Sequence, residues 1–188
     1  LAILDLLKNN KINSTSVMVV FTKNNYYGNI LKKKLKKKQT IGLHLVLTYY
    51  KPLYKFKNIK TFSTILKLII NLITKKITEF EIEQEIKMQI FEFKKIFGHL
   101  PKYIDGHHHV HQLPIISKIF VKAIRDIYKK DKPFVRNTGL DFKIIFFNNQ
   151  KIIKSCLMSL IGKLFKAKLK KNMIPTNSYF FGIYDFKN

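Results

Sequence analysis

Short β-branched runs alternate along this chain with longer segments whose apolar residues recur every three or four positions. Strand-like runs fall at 14–21, 41–47, 102–105, 134–136 and 179–183. Helix-like segments fall at 1–10, 62–75, 79–97, from Pro114 onward and at 150–170. Strands separated by helices cannot pair through tight hairpins, so they pair in parallel through crossovers. The expected class is α/β, as an open sheet or a barrel. The 188 residues suit one domain, since a chain of about this length buries roughly 70% of its extended surface, and no internal repeat divides them.

Several elements carry their own signals. Thr78 and Glu81 have capping-box spacing, and Ile82, Ile86, Ile90, Phe93 and Phe97 form a stripe at helical period. Gly98 stops that helix, with Pro101 beyond. In the 41–47 strand, Ile41, Leu43, Leu45 and Leu47 share one face, and Gly42, His44 and Val46 share the other. Ile3, Leu6 and Leu7 line one face of the first helix, and Ile116, Phe120, Ala123 and Ile127 line the helix opened by Pro114. Residues 32–38 read as a solvated lysine run and 51–61 as a loop. Cys156 reads as core and Gly139 as a turn.

The formal charge is +25, from 36 basic and 11 acidic residues. Such an excess suits nucleic acid or an anionic surface. Yet only Arg125 and Arg136 are arginines, leaving 34 lysines, and base or bidentate phosphate recognition favours the arginine fork. Abundant Ile, Asn and Phe, with three alanines, make the lysine excess read mainly as the imprint of AT-rich codons. No specific nucleic-acid partner is expected. No apolar run reaches the ~18 residues of a membrane span, and the stretch Phe62 to Ile73 is broken by Lys67. One cysteine, Cys156, excludes an intrachain disulfide framework and suits a reducing compartment. A cytoplasmic location follows as an expectation, with no membrane partner.

Four of the six histidines lie within five residues: His107, His108, His109 and His111, in Asp105-Gly-His-His-His-Val-His. The block follows a short strand and precedes a helix, which puts it at the carboxyl edge of the sheet, where α/β folds build their sites. His44 shares a strand face with Gly42, a neighbour that leaves room for a ligand. Imidazole is a common transition-metal ligand, and an open metal site polarises carbonyls for amide hydrolysis. The same residues admit blander roles: a packed histidine for His44, a turn former for Asp105, a solvent-exposed run for the block, and a capping or surface position for His99.

Four segments in order carry a family resemblance. They are Asn13-Ser-Thr-Ser-Val-Met-Val19, Ile41-Gly-Leu-His-Leu-Val-Leu-Thr-Tyr-Tyr-Lys-Pro-Leu53, Phe97-Gly-His-Leu-Pro101 and Tyr103-Ile-Asp-Gly-His-His-His-Val-His-Gln-Leu-Pro114. Over roughly residues 1–137 the chain resembles the YdjC-like carbohydrate deacetylases. The resemblance implies an incomplete TIM-like (β/α) barrel of the polysaccharide and carbohydrate deacetylase type. It also implies a divalent metal, magnesium by preference with zinc as the alternative, and hydrolysis of the acetamide of an N-acetylated sugar. By motif position His44 and His107 match metal-binding histidines. His109 and His111 match later histidines with supporting or substrate-contacting roles, and Asp105 matches an aspartate that orients an imidazole.

The family also opens with a strand ending A-D-D-F-G, which supplies a metal ligand and the general base, and carries a late H-P motif. Neither occurs among these residues, so the catalytic base is unassigned, both ends are expected to be truncated, and activity is expected to be impaired. A homodimer is among the assemblies open to it. Three functions stay open: a metal-dependent carbohydrate deacetylase, a remnant that binds metal without catalysis, and a basic nucleic-acid-associated protein.

Overall fold

A computed structural model describes residues 2–36, 38–139, 152–178 and 180. The chain runs α1 (Ala2–Lys8), β1 (Ser14–Val17), a 3-10 segment (Val19–Asn24), α2 (Asn25–Lys34) and β2 (Thr40–Leu45). It continues with α3 (Ile65–Ile73), α4 (Glu79–Phe97), β3 (Tyr103–Gly106), a 3-10 segment (His107–Gln112), α5 (Pro114–Ile127), β4 (Phe134–Val135) and α6 (Ile152–Lys171). The four strands form one sheet in the order β1-β2-β3-β4, every pair parallel. Val135 also bridges Thr176 in parallel. This is the crossover-connected arrangement of a (β/α) fold, as the alternation of segments required.

The register explains how one sheet can carry both a core and a site. Val17, Leu43, Ile104 and Val135 stand side by side across the four strands. The last three are fully buried, and this face packs into the main hydrophobic cluster with Ile86, Ile90, Phe93 and Phe120. One residue along, the side chains flip to the opposite face. There His44 pairs with Asp105, and Arg136 follows the end of β4.

Some expectations are corrected. β1 ends at Val17 rather than near Phe21, because the chain tightens into the 3-10 segment and Val19 buries itself. On α1 only Leu7 is buried, while Ile3 and Leu6 are exposed. Cys156 is exposed on α6. Gly139 is more than a turn: a Cβ on Gly162 of α6 would strike the Gly139 amide nitrogen, so these two glycines let α6 approach the backbone after β4. The strand expected at 179–183 lies outside the described residues apart from Phe180.

α4 matches its expected limits and its capping box is formed, with Gly98 closing it at φ 84°. Its acidic residues do more than complement the helix dipole. Glu81, Glu85 and Gln89, spaced four apart, are all buried and hold the segment after β2. Glu81 accepts from the Lys57 amide (2.9 Å), and Glu85 accepts from the amides of Leu53 (3.1 Å) and Tyr54 (2.6 Å). Gln89 accepts from the Val46 amide (3.0 Å) and donates to the Val46 carbonyl (2.6 Å). These side chains take the place of a strand partner for backbone groups that burial would otherwise leave unsatisfied. Replacing Gln89 by Ala is expected to cost about 1–3 kcal/mol for each group orphaned, measured as the loss in urea unfolding free energy.

A second cluster ties α4 to α5. Buried Glu83 accepts from Lys87 (2.6 Å) and Lys122 (2.7 Å), and Lys87 also reaches Asp126 (2.7 Å). Burial alone would raise the Glu83 pKa; the bonds from Lys122 and Lys87 override it and hold the carboxyl below its ordinary value. A depressed carboxyl contributes stability that is complete above its unfolded pKa and is lost as pH falls through the folded one. Stability is therefore expected to fall as acid is added below about pH 4.3, the ordinary glutamate value. Glu83→Gln should flatten that slope in an unfolding series against pH.

Candidate active site

The site is assembled by the sheet, which brings together Ser16 of β1, His44 of β2, Tyr103 and Asp105 of β3 and Arg136 just past β4. Asp105, on β3, is 3% exposed and sits at the centre. Its Oδ1 lies 2.7 Å from His44 Nδ1 on β2. Its Oδ2 accepts from Tyr103 OH (2.7 Å) and from Ser16 Oγ of β1 (3.3 Å), and pairs with Arg136 at 3.1 Å. Arg136 also donates to Tyr103 OH at 2.8 Å. Burial alone would raise the Asp105 pKa; the His44 bond and charge, then Tyr103 and Arg136, overcome this and keep the carboxyl below the usual aspartate value. The Tyr103 hydroxyl is pushed up to about 12 by burial and by the neighbouring carboxylate, so it stays a donor.

An ionised carboxylate only accepts, so the His44 Nδ1 that faces Asp105 carries a proton. The space expected beside Gly42 is occupied: a Cβ there would strike the Tyr103 ring, which lies across the glycine to reach Asp105. Gly42 thus serves the polar network rather than a ligand.

The histidine block turns immediately after β3. His108 and His109 both adopt positive φ, 51° and 54°, which folds four imidazoles over a short span. The His107 ring meets His44 edge to face at 5.6 Å and lies 3.9 Å from His108. Burial, and the nearby His108 and His44, lower the His107 pKa, favouring the neutral imidazole. Burial pushes His109 and His111 down to about 4, so both are neutral. His109 packs against Phe180 at 5.6 Å.

His111 turns away from the others. It is completely buried between Phe120 and Phe165 and its Nε2 lies 2.8 Å from the Arg136 carbonyl, to which it donates. A Cβ on Gly106 would collide with its Nδ1. No sugar can reach such a ring; it fastens the end of β3 to the segment that carries Arg136. His99 is exposed, its Nδ1 2.8 Å from the Leu100 carbonyl.

Among the described residues no three of His, Cys, Asp and Glu converge as a ligand set. The donors present are the neighbouring imidazoles of His44 and His107. An imidazole oriented by a carboxylate is a normal supporting arrangement for a metal ligand, so these two fit part of a divalent-cation site. Asp105 has both oxygens engaged and acts on His44. Sequence reasoning missed Arg136, Tyr103 and Ser16. Only Arg136 left a signal, as one of two arginines in a lysine-rich chain.

Asp105→Asn keeps the shape but turns an N–H toward one of the donors. It is expected to cost about 1–3 kcal/mol and to release His44 from its Nδ1–H form. Nitrogen-15 shifts of the imidazole measure this, and an unchanged Nδ1–H signal would contradict the assignment.

A 46-residue segment is 39% identical to a carbohydrate deacetylase of Danio rerio, covering 24% of this chain and 15% of that protein. The fold aligns with the crystal structure of a proposed cellobiose-phosphate cleavage protein from Enterococcus faecalis V583, with a TM-score of 0.61 and 19% identity. That alignment covers 96% of this chain and 62% of the other, so the chain spans under two thirds of that neighbour. No helix among the described residues is long and apolar enough to cross a membrane. The family described as YdjC-like protein matches residues 1–188, and the chain belongs to it.

Proposed function

We propose that this chain carries part of the active site of a metal-dependent carbohydrate deacetylase, which hydrolyses the acetamide of an N-acetylated sugar. The observation that carries the proposal is the His44–Asp105 pair at 2.7 Å beside the neutral His107. This is a pair of imidazole donors held by a buried carboxylate at the carboxyl edge of a parallel sheet. In the reaction the C–N bond of the acetamide breaks, water supplies hydroxyl to the acyl carbon and protons to nitrogen, and acetate and a free amine leave.

A divalent ion at such a place supplies Lewis-acid polarisation of the amide carbonyl. His44 and His107 would hold it. Magnesium is the metal implied by family likeness, whereas imidazole nitrogen is better matched to zinc. Asp105 engages His44 Nδ1 and so leaves Nε2 as the nitrogen that would meet a metal, and Arg136, Tyr103 and Ser16 help to keep Asp105 anionic. His109 stays uncharged near the site, and His111 keeps the strand ends in register. An N-acetylated sugar is the proposed partner.

A second reading, metal binding without hydrolysis, is favoured by the lack of a third converging ligand among the described residues. One experiment separates the two. Acetate release from an N-acetylated disaccharide is measured with added Mg²⁺ or Zn²⁺, and metal affinity is measured in parallel. Deacetylation should be metal-dependent and fall at least ~10²-fold in His44→Ala and His107→Ala, on the scale of a lost catalytic group. Metal binding that weakens in those variants without any acetate would support the second reading. Robust turnover untouched by His44→Ala would sink the site assignment.

A further inference from the structure

A groove of about 370 Å³ lies between the first two turns of α4, the middle of α5 and the end of α6. Its volume is in the range of small-molecule sites, and none of the residues that meet His44 or Asp105 lines it. α5 presents Lys118, Lys122 and Arg125 to the groove, spaced four and three apart and so on one helix face. α6 adds Lys168, and the acids of the lining are Glu79 and Glu83. Four cations therefore face two carboxylates.

The ion pairs do not cancel this excess. Glu83 is shared between Lys87 and Lys122, and Glu79 lies 3.9 Å from Lys118. Arg125 and Lys168 have no carboxylate partner among the described residues. Lys168 is the informative one. It is partly buried, and its Nζ donates to Ser117 Oγ (2.7 Å), a neutral group that is 2% exposed and itself donates to the Pro114 carbonyl (2.8 Å). Two of the three ammonium donors remain for the groove. Burial and the charge of Lys118 hold the Lys168 pKa below the ordinary lysine value. The dipole of α6 does not call for this cation, since Lys170 and Lys171 stand exposed in the same last turn. A positive charge kept against desolvation and a like charge, at the wall of a cavity, is relieved by an anion.

The charge count narrows the anion. Two unpaired cations match a phosphate monoester, which carries about −1.5 to −2 at pH 7 and three strong acceptor oxygens. A carboxylate or a nucleic-acid phosphodiester brings one negative charge. The rest of the lining is suited to the ester group: Ile119 and Val121 are apolar, and the Phe80 ring stands 60% exposed, a face on which a flat ring can stack.

We propose that the groove between α4, α5 and α6 binds a phosphate monoester of an aromatic group, with the phosphate held by Lys168, Arg125 and Lys118 and the aromatic group against Phe80. The proposal is independent of the deacetylase reading.

The test is calorimetric titration of the full chain with phenyl phosphate, inorganic phosphate and benzoate. It is run at about 0.15 M salt, where diffuse attraction to so basic a protein is screened beyond ~8 Å. Phenyl phosphate is expected to bind saturably with one site, more tightly than inorganic phosphate, and benzoate to bind weakest. Lys168→Gln and Arg125→Gln should each weaken phenyl phosphate at least ~10-fold, the scale of a hydrogen bond to a charged group. Lys34→Gln removes the same charge from the exposed side of α2 and should change affinity by less than about twofold. Phe80→Ala should erase the advantage of phenyl phosphate over inorganic phosphate. Arg125 is exposed, so its variant decides the matter even where Lys168→Gln does not fold. Absence of saturable binding, an equal loss in Lys34→Gln, or benzoate bound as tightly as phenyl phosphate overturns the proposal. Single-stranded RNA that binds through Lys168 and Arg125 while phenyl phosphate does not would give the groove to nucleic acid and overturn it as well.

Discussion

A carboxylate that is 3% exposed and still ionised is the constraint around which the rest of this structure is arranged. Burying Asp105 alone would cost several kcal/mol. The cost is offset only because all four strand segments contribute: Ser16 from β1, His44 from β2, Tyr103 from β3 itself and Arg136 from just beyond β4. These groups meet because the strands are parallel and in register, with His44 directly beside Asp105. A slip of one residue in any strand would send its polar group into the hydrophobic cluster and an apolar one into the network. The network therefore specifies register as much as it orients an imidazole.

The other half of the site is held from a distance. The segment after β2 has no strand partner along most of its length, and α4 supplies side chains instead. Glu81, Glu85 and Gln89 take its amides one helical turn apart. Glu85 shows how closely this is balanced. Burial raises its pKa, against hydrogen bonds from Tyr54, Gln89 and Leu53 that lower it. This support lets Thr48, Tyr49 and Tyr50 stand at the mouth of the site, where Tyr49, His108 and His109 all keep positive φ. Three of the seven non-glycine residues with positive φ among the described residues therefore lie at this one mouth, where local strain is often found beside a site.

Much of the plan was legible in the residues. The limits of α4 followed from Thr78, Glu81 and Gly98, because capping and helix termination are local chemistry. The Pro114 start of α5 was legible for the same reason. His44, Asp105 and the histidine block stood out by type and spacing. Arg136 stood out only as one of two arginines: its place beside Asp105 comes from a register across β3 and β4 that no local pattern encodes. The burial of the α4 acids was not legible, since nothing nearby in sequence says that the amides of residues 46–57 need acceptors. Cys156 looked buried because its neighbours are apolar, yet α6 turns Ser159, Phe165 and Leu169 inward and leaves Cys156, Leu157, Leu160 and Leu164 outside.

By itself the sequence determined the α/β class, the parallel sense of strand pairing and the histidines and aspartate that could do chemistry. Periodicity, capping and residue type are properties of neighbours along the chain. Only the tertiary structure decided which of those side chains meet. It gave Asp105 to His44, sealed His111 between Phe120 and Phe165, filled the space beside Gly42 with the Tyr103 ring, and set Phe21 and Tyr50 together across 29 positions. The physical reason is that a buried charge and an exposed ring are each tolerated only in a particular surrounding. That surrounding is built from strands and helices far apart in the chain.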